Sequence, residues 1–246
     1  MSKIKYMAVC MVSFVIVGAT SMANLITNGD VENGTNNWTI VQEAGSSIAT
    51  NASAQSPFST GVAGMLYTDA AASGAAGTPY SYLGFGTQPN GRYTFKFDYK
   101  VESTSGGSWT CRIYNNGVNE IPFAFTISGT QISLGATSGN TLVATGLKSN
   151  EWYHVEIGLD TVNQRYTSFS LVNTNGTVNK TYGELAAYTT VTPDGLNRLS
   201  VVDVAANTVA NPLYLDNVQL IPEPATIGML GLGALVVLLV RRQINA

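Results

Sequence analysis

Between Asn24 and Leu220 no stretch shows the three-to-four-residue apolar spacing of an amphipathic helix, and that absence restricts the possible folds more than any motif does. Short runs instead alternate apolar and polar residues one by one, bounded by Gly, Asn, Ser and Thr. Arg92 to Lys100 is the clearest: Tyr93, Phe95, Phe97 and Tyr99 take one face, and Arg92, Thr94, Lys96, Asp98 and Lys100 the other. Glu151 to Asp160 places Tyr153, Val155, Ile157 and Leu159 opposite Trp152, His154 and Glu156. The runs beginning at Arg165, Asn197 and Leu213 repeat the style. A strand apolar on one side only must bury that side against a second sheet, so the pattern predicts an all-β fold, a single antiparallel β-sandwich spanning 24–220. Residues 70–77 read as a long loop and 43–57 as weakly structured.

Charge narrows the partners. Of 246 residues only 11% are charged, and from Asn24 to Ile221 there are 14 acidic and 8 basic side chains without basic clusters. That balance argues against nucleic acid as a partner.

Both ends are apolar. Lys3 and Lys5 precede an apolar core from Tyr6 to Ala19, and Ser21-Met22-Ala23 supplies small residues for a peptidase. Residues 1–23 therefore read as a signal peptide cleaved between Ala23 and Asn24. Cys10 leaves with it, so Cys111 remains alone and no intramolecular disulfide can form. Cys111 alternates with Trp109 and Ile113, which suits a small buried hydrophobe. At the other end, Ala225 to Val240 carries no charge and, as a helix, would span roughly 24 Å, slightly less than a hydrocarbon core. Arg241 and Arg242 follow and would hold that end on the cytoplasmic side. Pro222-Glu223-Pro224 stands just in front; its two prolines keep the backbone extended.

Triplet, apolar helix at 225–240 and terminal basic pair, in that order, resemble the PEP-CTERM sorting signal of Gram-negative bacteria over 221–246. The resemblance implies export, a transient anchor in the inner membrane, recognition of the triplet by the membrane protease exosortase, and delivery to the outer envelope, cell surface or extracellular matrix.

The domain carries two further resemblances. Asn150 to Asn173 is similar to the strand pair of concanavalin A-like, laminin-G-like jelly rolls, where a Trp and an alternating strand lead through an Asp turn into a strand with a Tyr. The opening from Asn24 to Ile40 resembles galactose-binding-like jelly rolls, common among carbohydrate-binding modules. Domain length and the hairpin from Trp152 to Leu171 favour the concanavalin A-like version, with the galactose-binding-like one as the alternative. The carbohydrate-binding resemblance implies a structural calcium held by Glu32 and Asp216, with backbone carbonyls completing the shell. Otherwise Asp216 pairs with Arg198 or the backbone.

Catalytic constellations are missing from the sequence. It has no Glu-x-Asp-x-Glu strand of the kind active concanavalin-like glycosidases use, and Glu156 and Asp160 are the nearest pair. The lone His154 has no Gly-x-Ser-x-Gly elbow to serve, and no metal-spaced cluster or nucleotide fingerprint occurs. A sugar site would need exposed aromatic rings: Tyr80, Tyr82 and Phe85 form one candidate set, Tyr182 and Tyr188 another. The expectation is a non-enzymatic envelope or matrix protein with a structural or adhesive role; the alternative is a carbohydrate-binding module acting on exopolysaccharide.

Overall fold

Each alternating run is a strand. The computed structural model describes residues 23–42, 46–68, 80–102, 108–115, 121–136, 139–176, 185–187, 195–203 and 212–223. One sheet holds, side by side, β1 (Trp38–Val41), β4 (Tyr80–Gln88), β13 (Leu196–Asp203), β6 (Ser108–Asn115), β7 (Phe123–Ser128), β8 (Gln131–Ala136) and β9 (Gly139–Ala144). The other holds β12 (Leu185–Ala186), β11 (Arg165–Asn173), β10 (Tyr153–Asp160), β5 (Arg92–Val101), β14 (Leu213–Pro222), β3 (Gly64–Thr68) and β2 (Ser47–Asn51). All pairings are antiparallel. A single 3-10 turn, Ala52–Ala54, is the one helical element among the described residues. None of these residues forms a helix long and apolar enough to cross a membrane, and the apolar tail at 225–240 lies outside them, as does the loop at 70–77.

The period-two faces pack as the alternation dictates. Tyr93, Phe95, Phe97 and Tyr99 of β5 are buried, and Phe95 and Phe97 meet Phe125 of β7 across the sandwich, with the Phe97 and Phe125 rings stacked at 4.7 Å. Tyr67 of β3 crosses to Trp109 of β6 edge-on at 5.4 Å, and its hydroxyl meets Ser81 Oγ of β4 at 2.6 Å. Each such ring pair adds about 0.5–1.5 kcal/mol beyond the area it buries. Cys111 lies in this layer, 1% exposed. Burial pushes its thiol far above the ordinary range, so it is a packing residue and not a nucleophile.

Two segments differ from expectation. Residues 47–51, inside the stretch read as weakly structured, form β2, which pairs with β3 over its full length. Only Ile48 of β2 is buried, so the strand leaves almost no alternation to read. β14 continues through Pro222, two residues past Leu220, so the first proline of the triplet closes a sheet strand opposite Tyr93.

β14 also gathers the two ends of the sandwich. β3 pairs with it only at Leu213–Leu215. Beyond a bulge between Asp216 and Gln219, where Asn217 takes a left-handed φ of 53°, the N-terminal segment replaces β3. Leu25 N donates to Leu220 O, Val218 N to Gly29 O, and Leu220 N to Asn24 Oδ1. Gly29 is required there, because a Cβ would collide with the Val218 carbonyl oxygen.

Candidate functional site

The outer face of the first sheet carries a regular array of side chains. Pairing registers place Tyr80 of β4, Val202 of β13 and Thr110 of β6 in one row. Tyr82, Ser200 and Arg112 form the next, and Gly84, Arg198 and Tyr114 the third. Small residues at Ser200 and Gly84 stand between tall tyrosines and arginines, and that difference in height cuts a groove of about 290 Å³ lined from Tyr80 to Val202. This is close to the lower end of ligand-site volumes, roughly 300–1,000 Å³.

A bulge in β13 makes the array. Leu196 opposes Asn115 and Arg198 opposes Tyr114, so two β13 steps face one on β6. The extra residue resets the alternation: Leu196 and Leu199 are both buried while Arg198 reaches the outer face. Its guanidinium lies 4.2 Å from the Tyr114 ring and 5.5 Å from Tyr82. Cation–π contact with the two rings orients the guanidinium and limits the rotamers it can lose on meeting a ligand.

Of the aromatic residues singled out from sequence, Tyr80 and Tyr82 belong to this groove. Phe85 does not; it packs against the core. Tyr182 and Tyr188 lie outside the described residues. Sequence reasoning missed Arg112, Tyr114, Arg198 and Ser200. Each occupies a polar-face position of an alternating run, the only signal they offered.

The outer face of the second sheet carries a charged network. Asp98 and Asp216 are cross-strand partners on β5 and β14, and both are fully buried. His154 Nδ1 lies 2.5 Å from Asp98 Oδ1, and its Nε2 lies 3.3 Å from Glu156 Oε1, which also pairs with Lys96. The Asp98 hydrogen bond raises the His154 imidazole above its ordinary value against the opposing pull of burial. Burial likewise opposes ionisation of Glu156, but the hydrogen bonds from Lys96 and His154 outweigh it and hold the carboxyl below its usual value. Asp160 is 1% exposed and committed to Arg92 and Asn163. The Glu156 and Asp160 carboxylates thus hold separate partners, Lys96 with His154 and Arg92 with Asn163.

Glu32 and Asp216, far apart in sequence, are held by one segment. Ser56 N donates to Asp216 Oδ2 at 2.9 Å, and Asn217 N to Oδ1 at 2.6 Å. Val62 and Ala63 N–H groups donate to Glu32 Oε1. Arg198 lies in the other sheet, so backbone N–H groups are the partners of Asp216. Burial pushes the Asp216 carboxyl up to about 6, and the neighbouring charges of Asp98 and Glu32 add to the shift. The like charges of Asp98 and Glu32 beside this buried carboxylate would favour a bound cation such as calcium, although backbone N–H groups already occupy both Asp216 oxygens. No group of three or more acidic, His or Cys side chains is set to hold a metal among the described residues, so backbone carbonyls would have to complete the shell.

Toward the chain ends, Ala23 and Asn24 are exposed, and Asn24 is tied to β14 through its Oδ1, which accepts from Leu220 N. Glu223 follows β14 directly; Pro224, Arg241 and Arg242 lie outside the described residues.

Residues 220–243 match the family described as the PEP-CTERM protein-sorting motif, so the chain carries that signal. No curated protein matches the chain. Among solved structures, the sandwich resembles one named "Sialidase" with a TM-score of 0.61 at 10% identity, covering 83% of this chain. The chain spans only 19% of that protein's length. It also resembles the lectin UEA-II complexed with galactose (TM-score 0.46, 7% identity, 74% of this chain and 93% of that one). TmCBM61 in complex with beta-1,4-galactotriose gives a TM-score of 0.43 at 12% identity, over 82% of this chain and 99% of that one. At 10% identity the likeness to the first of these is one of fold alone.

Proposed function

We propose that this chain is an exported adhesive or matrix protein that binds polysaccharide on the outer face of β4, β13 and β6 without cleaving it. The observation that carries this reading is the array around Ser200: three tyrosines and two arginines, drawn from three strands, wall a groove on a rigid sheet. Tyrosine rings pack against the C–H faces of sugar rings while their hydroxyls bond at the edge, and a sheet holds them in place at little conformational cost. The sorting signal at 220–243 supports export. Cleavage by exosortase near Pro222-Glu223-Pro224, after transient anchoring in the inner membrane of a Gram-negative cell, would release the sandwich to the surface or matrix. Structural calcium at Glu32 and Asp216 would brace the opposite sheet and leave the groove untouched.

Affinity electrophoresis through gels containing exopolysaccharide tests the binding. The wild-type protein should be retarded and Tyr82→Ala should run freely; equal migration of the two would overturn the assignment of this face. Hydrolysis of the polymer that is lost in Glu156→Gln would overturn the non-enzymatic reading. Intact mass of protein recovered from its native envelope tests the sorting. A start at Asn24 and loss of everything beyond the triplet is expected, and a mass retaining Arg241 and Arg242 would make the tail a permanent anchor.

A further inference from the structure

We infer that the polysaccharide taken by the β4–β13–β6 groove is acidic, a polymer whose sugar rings carry carboxylates received by Arg112 and Arg198. This rests on the reading of that face as carbohydrate-binding and goes further by naming the class of sugar.

The donor and acceptor inventory of the lining is one-sided. A neutral sugar offers hydroxyls that both donate and accept, so a groove matched to it benefits from carboxylate or amide acceptors. Among the described lining side chains there is none: two guanidinium groups supply donors only, joined by hydroxyls of tyrosine and Ser200. Such a surface matches a ligand rich in acceptors and bearing negative charge.

Geometry gives the same answer. Ser200 opposes Arg112, and Arg198 stands two residues before Ser200 on the same face, so the two arginines are diagonal neighbours, roughly 7–8 Å apart at the backbone. Both side chains can close on one carboxylate, or on carboxylates of successive sugars. No carboxylate among the described residues forms an ion pair with Arg112. Cation–π contacts with Tyr114 and Tyr82 hold the Arg198 guanidinium at the groove wall, beside Arg112. The groove is also cationic on a chain whose net charge is −3. The protein as a whole repels polyanions, so attraction must come from this groove and be selective for what fits it.

The test uses the exported protein and two matched pairs of polymers, polygalacturonate and alginate, each beside its carboxyl-reduced form. Retardation by at least one acidic polymer is expected, with binding of its reduced partner about tenfold weaker or less. Arg112→Gln should lose about tenfold on the acidic polymer without a change in thermal midpoint, while Tyr82→Ala weakens binding to both forms. Binding of the acidic form should also fall as salt rises. Equal binding of acidic and reduced forms, untouched by Arg112→Gln, would overturn the acidic class and leave the carbohydrate reading standing. Retention of poly-L-glutamate as strong as that of the polysaccharides would show simple ion exchange and overturn the proposal. Absence of retention on every polymer would remove the carbohydrate reading with it.

Discussion

Replacing Asp216 with Asn tests the charge balance beneath the 52–63 segment. The Asp216 carboxyl is wholly buried, faces Asp98 across the ladder and is pushed up to about 6 by burial. Its folded value lies above its unfolded one, so the folded chain holds the proton more tightly. The contribution of this group to stability is therefore greatest below about pH 4, falls as pH rises toward 6, and stays low above. At about 1.4 kcal/mol per unit, an ion-free protein at pH 8 bears a penalty of about 2–3 kcal/mol. His154 acts in the same direction, since its raised value contributes stability that is lost as pH climbs through it. The Asp216→Asn variant would escape the penalty but turn an amide N–H₂ toward the Ser56 N–H, costing about 1–3 kcal/mol, so without the ion it should nearly match wild type at pH 8. Calcium separates the two proteins. At about a hundred times its dissociation constant it should stabilise wild type by about 2.7 kcal/mol. For a domain of this size that is a rise of about 5–10 °C in midpoint. Thermal unfolding at pH 8 in chelator and in excess calcium, and in chelator from pH 4 to 8, reads both effects. The variant should ignore calcium and show a flatter profile between pH 4 and 6. A wild-type midpoint indifferent to calcium, with the same pH profile as the variant, would refute the reasoning.

Other perturbations address the frame. Gly29→Ala drives a Cβ into the Val218 carbonyl and should cost about 1–3 kcal/mol in denaturant titration; an unchanged midpoint would mean that the N-terminal segment is not docked on β14. Trp109→Ala empties the fully buried centre beside Tyr67 and should cost about 3–5 kcal/mol, read by the same titration. Cys111 should stay silent to a thiol reagent until denaturant is added, and rapid labelling of native protein would contradict its burial.

The strands of the sheet interiors are legible in the sequence because each runs long enough to alternate. In β5 and β10 alternation alone assigns every inward aromatic and aliphatic residue to its proper face. β2 escapes because one buried side chain, Ile48, makes no pattern. The groove escapes for a different reason. Alternation says which way Arg112, Arg198 and Tyr82 point but not that β6, β13 and β4 are neighbours, a fact of long-range register and of one extra residue near Asn197. Glu32 and Asp216 are reached through family resemblance alone; their proximity depends on the N-terminal segment docking beyond the bulge in β14.

The course of β14 bears on how the domain carries load. Its C-terminal end leads to the sorting tail, yet the strand is an interior member of its sheet, paired with β5 along its length and with the N-terminal segment along its second half. A pull on the chain beyond Pro222 therefore acts along a strand whose hydrogen bonds lie across the direction of force. Those bonds must shear together instead of peeling in turn, as they would from an edge. A load applied through the tail would thus be met by shear along β14.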